Sequence, residues 1–225
     1  LRSALVSVQG LAEPVETIVL DDGSSDGTAA MVRAEFPAVC VVEHPEAKGY
    51  ITRRNEGARL ASGDVIFSID DDAVFASAET VRQTLREFDC ADIGAVAMPY
   101  IDVSRDQVVR QRAPDGAGIY AVDTFIGTAH AVRRDVFLAL GGYREHLVHQ
   151  GEEGDFCLRL MNAGYVVRLG SADPIHHHES PKRDFSRMDF FGPRNAVLYA
   201  WQNVPLAALP AHLLATTVKA ALWTL

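Results

Sequence analysis

The chain has 225 residues, 48% of them hydrophobic, and a formal charge of −9. That is apolar material enough for one full globular core, and it argues against a disordered chain. The acidic balance excludes a protein that tracks nucleic-acid phosphates, which needs clustered Lys and Arg; an anionic ligand must be held locally, by a metal or a few arginines.

In chain order, TIVL (17 to 20) reads as a strand that ends in Asp21-Asp22-Gly23, and the small and polar residues after it open a helix. The unit repeats: VCVVE (39 to 43) as strand, YITRRNEGARLA as helix, DVIFSI as strand, then SAETVRQTLREF as a helix that Ser77 can cap. Strands alternating with helices predict a parallel sheet covered on both faces, with ligands beyond the carboxyl ends of the strands. Both acidic turns, Asp21-Asp22 and Asp70 to Asp72, fall at that edge. From residue 93 the pattern changes to strands, IGAVAMPYI and IYAVDTFIG, around a polar loop with Arg110, Arg112, Pro114 and Asp115. A helix closed by Gly141 and Gly142 follows, then the helix EEGDFCLRLMNAG and the strand YVVRL.

The tail from residue 184 reads as helical, with basic Lys182, Arg183, Arg187 and Arg194 ahead of an apolar end. Pro205, Pro210, His212 and Lys219 interrupt that end, so an interfacial helix fits it better than a membrane-spanning one. Cys40, Cys90 and Cys157 are odd in number and widely spaced, which fits reduced thiols in a cytoplasmic protein and predicts core filler at all three. The chain opens without methionine or signal peptide, so Leu1 is expected not to be the natural start.

Four stretches carry chemistry. Three adjacent aspartates flanked by Ile66, Phe67, Ile69, Val74 and Phe75 repel one another and fit a divalent Mg or Mn ion that shares its shell with substrate phosphates. In LDDGSSDGT a carboxylate at the sheet edge can accept hydrogen bonds from a base or ribose; the plainer reading is a helix capped through Asp26. In PIHHHESP, His176 and His178 point to one face of an extended segment and His177 to the other; one histidine completing a metal shell competes with a surface tract. Glu152, Glu153 and Asp155 open a helix, where they either complement its dipole or supply a general base.

Together LDDGSSDGT, RRNEGARLASGD, FSIDDDAVF, GTAHAVRRDVFLALGGY, GEEGDFCLRLMNAGYVV and IHHHES resemble, in order and spacing, the family 2 glycosyltransferases of GT-A fold, over residues 1 to 200. The resemblance implies an α/β fold: a Rossmann-like mixed sheet of the nucleotide-diphospho-sugar transferase kind, flanked by helices. It implies a catalytic domain over 1–180, with a nucleotide-binding half to residue 92 and an acceptor half from 93, and a C-terminal helical segment over 181–225. It places Asp21 or Asp22 with Arg54 at the nucleobase, Asp70 toward ribose and metal, and Asp72 on the Mn or Mg ion, with Asp71 pointing away. His176 joins the metal, with His178 as the alternative. Glu153 is the base, with Glu152 in reserve, Asp155 is structural, and Gly127 lines the sugar pocket. The reaction so implied is inverting transfer from a nucleotide-diphosphate sugar to a hydroxyl of a glycan or lipid-linked acceptor.

One departure bears on this reading. Family members begin with a strand of the type VSVVIPTYN, whereas LRSALVSVQGLAEPVE matches the helix that follows it, so the sequence is expected to be a fragment, cut at the C-terminus as well. Two other classes compete: a nucleotide-sugar-binding module without catalysis, and a sugar nucleotidyltransferase, against which the lack of a Gly-rich phosphate loop with its lysine speaks. The basic and then apolar C-terminal segment points to peripheral contact with the inner face of a membrane, or to packing on the domain or on a second copy of the chain.

Overall fold

The computed structural model describes residues 1–116, 118–178 and 185–223. The expected domain boundary at 180/181, Lys182, Arg183 and the end of the IHHHES stretch lie outside them.

Helix α1 (Arg2–Gln9) leads into β1 (Ile18–Asp21), α2 (Thr28–Glu35), β2 (Cys40–Glu43) and α3 (Tyr50–Leu60). Then come β3 (Val65–Ser68), β4 (Ala73–Phe75), α4 (Thr80–Arg86), β5 (Ile93–Ala97) and β6 (Tyr100–Asp102). The short β7 (Val109–Arg110) and β8 (Ala121–Val122) precede β9 (His130–Arg133), α5 (Arg134–Ala139), α6 (Glu152–Asn162), β10 (Val166–Leu169) and β11 (Ile175–His177). Two helices close the chain, α7 (Phe185–Asn203) and α8 (Leu209–Trp223).

β1 and β2 pair in parallel, β3-β9-β5-β10-β8 form a five-stranded sheet, and β4-β11-β6-β7 form a four-stranded one. The sheet is mixed, as the family resemblance implies, and not the parallel one that the alternation of strands and helices alone predicts. β9 enters antiparallel between β3 and β5, because the chain returns through the turn before His130 instead of crossing over by a helix. The run IGAVAMPYI is also two strands: Pro99 has no N–H to give a ladder, and β5 and β6 join different sheets on either side of it.

Alternation along the central strands builds two cores. Ala95, Ala97, Val132 and Val167 face Ile51, Phe137, Phe156 and Leu160 of the helices, while Val96 and Ala131 face Ala73, Met98 and Ile175 on the other side. All five residues of β5 are buried, as befits a central strand. Phe156 is wholly buried, and burying such a ring contributes about 3 kcal/mol. Cys157 joins this core, and burial pushes its thiol up to about 12. Cys40 and Cys90 are exposed, which corrects the expectation of three buried thiols: on β2 it is Val41 that packs against Leu5, Val32 and Phe36, and its neighbour Cys40 points to the other face.

Candidate active site

Most of the site residues sit where a regular element begins or ends, and Arg54 reaches them from within α3. Asp22 follows β1 and reaches the N-terminus of α3, where its oxygens accept the N–H groups of Lys48 (2.8 Å) and Gly49 (2.7 Å) and the Nε–H of Arg53 (2.6 Å). Burial works against its charge, but these donors outweigh burial and hold its carboxyl below the usual range. Asp21 is buried and accepts the Ser24 N–H at 2.8 Å.

The triple aspartate turns between β3 and β4. Asp71 is exposed, whereas Asp70 and Asp72 lie with His177 so that one ligand atom of each falls within 4.8 Å of the others. β11 makes this meeting by pairing with β4 and β6, which sets His177 beside Ala73 and Asp102. Neither His176 nor His178, the histidines expected there, enters that group; the ring that lies beside the aspartates is that of His177. The alternation was rightly anticipated; what decides the face is the register of β11, and that depends on strands 75 and 100 residues away. Exposed His178 contributes its backbone N–H to the Asp72 carbonyl at 2.9 Å and so ties the turn down.

Asp102, missed in the sequence, accepts the Nδ1–H of His177 at 2.9 Å and leaves Nε2 facing Asp72 Oδ1 at 3.5 Å. Asp72 first, then Asp102, raise the His177 pKa to about 9. Two carboxylates and an imidazole oriented by a third carboxylate fit Mn or Mg.

Arg54 links this rim to the other wall of the site. Its Nη2 meets Asp70 Oδ1 at 2.5 Å, its Nη1 stands 3.6 Å from Glu152 Oε1, and its guanidinium lies over the Tyr50 ring, 4.9 Å from the centroid. Burial opposes the Arg54 charge, but Asp70, Glu153 and Glu152 more than offset it and its pKa is raised. Glu152 is 0% exposed and neither of its oxygens finds a hydrogen-bond donor. Burial, and then Glu152, raise its neighbour Glu153 to about 8, with Arg54 acting in the opposite direction. Gly127 packs against both: a Cβ there would stand 2.6 Å from Glu153 Oε1 and 2.7 Å from Arg54 Nη1. Asp155 is buried between Arg144 (2.8 Å) and Arg159 (3.0 Å) and faces away from this centre into the helix packing.

The turn that carries Gly127 is wired from behind. His130 donates through Nδ1 to the Ile126 carbonyl (3.1 Å) and accepts the Tyr143 hydroxyl at Nε2 (2.9 Å). Burial and then Arg54 push its pKa down to about 3, so the ring stays neutral. Thr128 Oγ1 accepts the Asp70 N–H at 3.1 Å and joins this turn to the aspartates. The only sequence signal for His130 was a histidine inside an apolar strand, which reads equally well as core.

The mixed α/β sheet, with an acidic turn, a histidine strand and a glutamate pair at one rim, has the GT-A fold of glycosyltransferases. The sequence model of the family described as glycosyl transferase family 2 matches residues 1–141, and the chain belongs to that family. The O-antigen chain rhamnosyltransferase WbaN of Salmonella anatum is 22% identical over 78% of this chain and 61% of its own length. The pre-mycofactocin glycosyltransferase of Mycobacterium tuberculosis is 28% identical over 88% of this chain and 44% of its own length. The chain thus spans about half the length of these curated relatives. Among solved structures, the mannosyltransferase PcManGT from Pyrobaculum calidifontis, in complex with GDP-Man and Mn2+, superposes with a TM-score of 0.70 at 19% identity, covering 97% of this chain and 64% of that one. At that identity the likeness concerns the fold.

Proposed function

We propose that the chain is the catalytic unit of an inverting glycosyltransferase that moves a sugar from a nucleotide-diphosphate sugar to an acceptor hydroxyl. One observation carries the reading. Arg54 touches Asp70 on one side and stands beside Glu152 and Glu153 on the other, so one guanidinium joins the carboxylates read as donor-side to the one read as the base.

Asp21 and Asp22 frame the base of the nucleotide, in a nucleotide-binding half that runs to residue 92. The acceptor half runs from 93 to 180. A divalent Mn or Mg ion on Asp70, Asp72 and His177 would supply positive charge for the departing diphosphate. Glu153 takes the proton of the acceptor hydroxyl, whose oxygen bonds to the anomeric carbon from the face opposite the leaving group. The bond from that carbon to the diphosphate breaks, and the electron pair leaves with the nucleoside diphosphate. Arg54 holds Asp70 in place and keeps the base pair of glutamates from being an isolated buried charge. Gly127 leaves the space in which sugar and base can approach.

Release of nucleoside diphosphate from a panel of uridine, guanosine and thymidine diphosphate sugars tests this. Turnover that vanishes in Asp72→Ala and Glu153→Gln supports it; tight nucleotide binding without turnover, with every sugar and acceptor tried, would leave a binding module instead.

We also infer that the α7–α8 hairpin rests on the cytoplasmic face of a membrane, where lipid-linked acceptors lie. No helix among the described residues is long and apolar enough to cross a membrane. Phe190 (64% exposed), Val197 and Trp201 (69%) form one stripe along α7, continued by Leu206, with Arg187 and Arg194 beside it. Flotation with anionic vesicles tests the idea; a protein that stays unbound, or that buries this stripe in a dimer, removes it.

A further inference from the structure

Asn195 on α7 is 3% exposed, and no step above uses it. Its Nδ2 donates to three backbone carbonyls of one loop, those of Leu147 (2.9 Å), His149 (2.8 Å) and Gln150 (2.7 Å). Two hydrogens serve three acceptors, so one of them is shared. Arg194 Nη1 holds the Asn195 Oδ1 at 2.9 Å, and its Nη2 donates to the His146 carbonyl at 3.0 Å.

The loop so gripped has a backbone that few sequences would choose. Val148 has φ 65° and ψ −48°, with the His149 N–H donating to the Leu147 carbonyl at 2.7 Å. This is a γ-turn with positive φ, an outlier for a β-branched residue. Gln150 (φ 68°) and Gly151 (φ 85°) are left-handed as well, and Glu152 begins α6 directly after them. From the opposite side the Gln150 N–H donates to the Tyr50 hydroxyl at 2.8 Å, the same Tyr50 whose ring underlies Arg54. The His149 ring packs edge-on to Tyr50 and to Phe191 of α7.

A backbone in such conformations persists only where its surroundings over-determine it, and segments of this kind concentrate at functional sites. Tyr50 contributes one acceptor, whereas Asn195 contributes donors to three carbonyls. We propose that Asn195 is a positioning residue for sugar transfer, holding loop 147–151 in the conformation that aims the first turn of α6, and with it Glu153, at Arg54 and Gly127. This rests on reading Glu153 as the base. It makes the C-terminal hairpin part of the transfer machinery, although the family model ends at residue 141.

The test uses the full chain with Asn195→Ala and with Asn195→Ser, which keeps one donor. Turnover, read as nucleoside diphosphate release, is expected to fall about tenfold to a hundredfold in the alanine variant and less in the serine variant. The KM for donor and the calorimetric affinity for UDP or GDP with Mn2+ stay at the wild-type values, because the aspartate rim does not touch this loop.

The acid limb of kcat supplies a readout that a merely structural role would not move. Glu153 faces Glu152, Arg54, Tyr50, Tyr143 and Cys157. A loosened loop admits water to it, so the limb moves to lower pH. Asn203→Ala, which removes a different α7 contact, 3.0 Å to Asp155, lowers the melting temperature and leaves the limb in place. Folded Asn195 variants with wild-type kcat and an unmoved limb overturn the proposal; if the alanine variant does not fold, the serine variant decides alone. Full turnover in Glu153→Gln would remove the base reading, an outcome read on a different variant.

Discussion

Asp22 and Asp72 both sit in acidic turns after a short apolar strand, and their surroundings give them different work. Asp22 spends both oxygens on the backbone N–H groups at the start of α3 and on Arg53, partners that the fold fixes in place. Asp72 and Asp70 face side chains, His177 and Arg54, drawn from β11 and α3. Backbone amides at a helix start satisfy a carboxylate permanently. A rim of carboxylates and an imidazole can re-form around a cation. The first turn therefore latches two elements together, and the second is built to exchange partners.

Removing each carboxylate is the sharpest way to break that contrast. Asp72→Ala should lower turnover on the order of a thousandfold and abolish Mn2+ binding in calorimetry, with little change in melting temperature. Asp22→Ala should strike the stability of the fold and the hold on the nucleotide base, and spare the metal rim. It leaves Arg53, which is 6% exposed, without its closest anion, at a cost of about 3 kcal/mol, and the melting temperature falls by several degrees while Mn2+ affinity holds. Equal losses of Mn2+ affinity in the two variants would erase the distinction.

The next largest effect is expected at Glu153, which lies on neither turn. Its pKa is raised to about 8, so the carboxylate form needed in a base is filled only as pH rises through that value, and turnover should rise with it. An acid whose pKa is raised on folding binds its proton more tightly in the native state. Stability is therefore lost as pH climbs from the unfolded value toward 8. Glu153→Gln should cut turnover about a hundredfold or more, remove that acid limb, and gain more melting temperature at pH 9 than at pH 5. A variant less stable than wild type at pH 9 would contradict the burial of this carboxyl.

Much of this was legible along the chain because it is local. The strand before Asp70, the helix carrying Arg54 and the acidic start of α6 follow from periodicity and capping, and each ends within a residue or two of its expected place. The choice of His177 over its neighbours was not, because alternation gives two faces and only the pairing of β11 with β4 and β6 says which one looks at Asp72. Asp102 was hidden for the same reason: it gains meaning only opposite His177. The exposure of Cys40 and Cys90 was lost because spacing says nothing about which strand face is covered. Gly127 was expected to clear space for a sugar, and the close neighbours of its missing Cβ are the side chains of Glu153 and Arg54.

Gly127→Ala probes that last point. A methyl group 2.6 Å from Glu153 Oε1 must displace the carboxylate or the turn, since Arg54 blocks the other side at 2.7 Å. Turnover should fall about tenfold to a hundredfold with donor affinity unchanged, and the acid limb should move with the displaced carboxyl. A rise in donor KM alone would mean that the glycine serves the sugar and not the base.

The smallest single effect, that of Asp102→Asn, separates orientation from charge at the metal rim. Asp102 accepts the Nδ1–H of His177 and stands 3.6 Å from Arg110, so it is already paired, as Asp22 is, yet its pairing serves the open turn. In Asp102→Asn the amide oxygen can still accept from Nδ1–H. The ring then stays turned toward Asp72, and Mn2+ affinity should drop about tenfold through the lost charge. Asp102→Ala removes the acceptor too, frees the ring to rotate, and should cost about a hundredfold. If both substitutions leave calorimetric Mn2+ affinity at the wild-type value, His177 is not a ligand and the second acidic turn is a latch like the first.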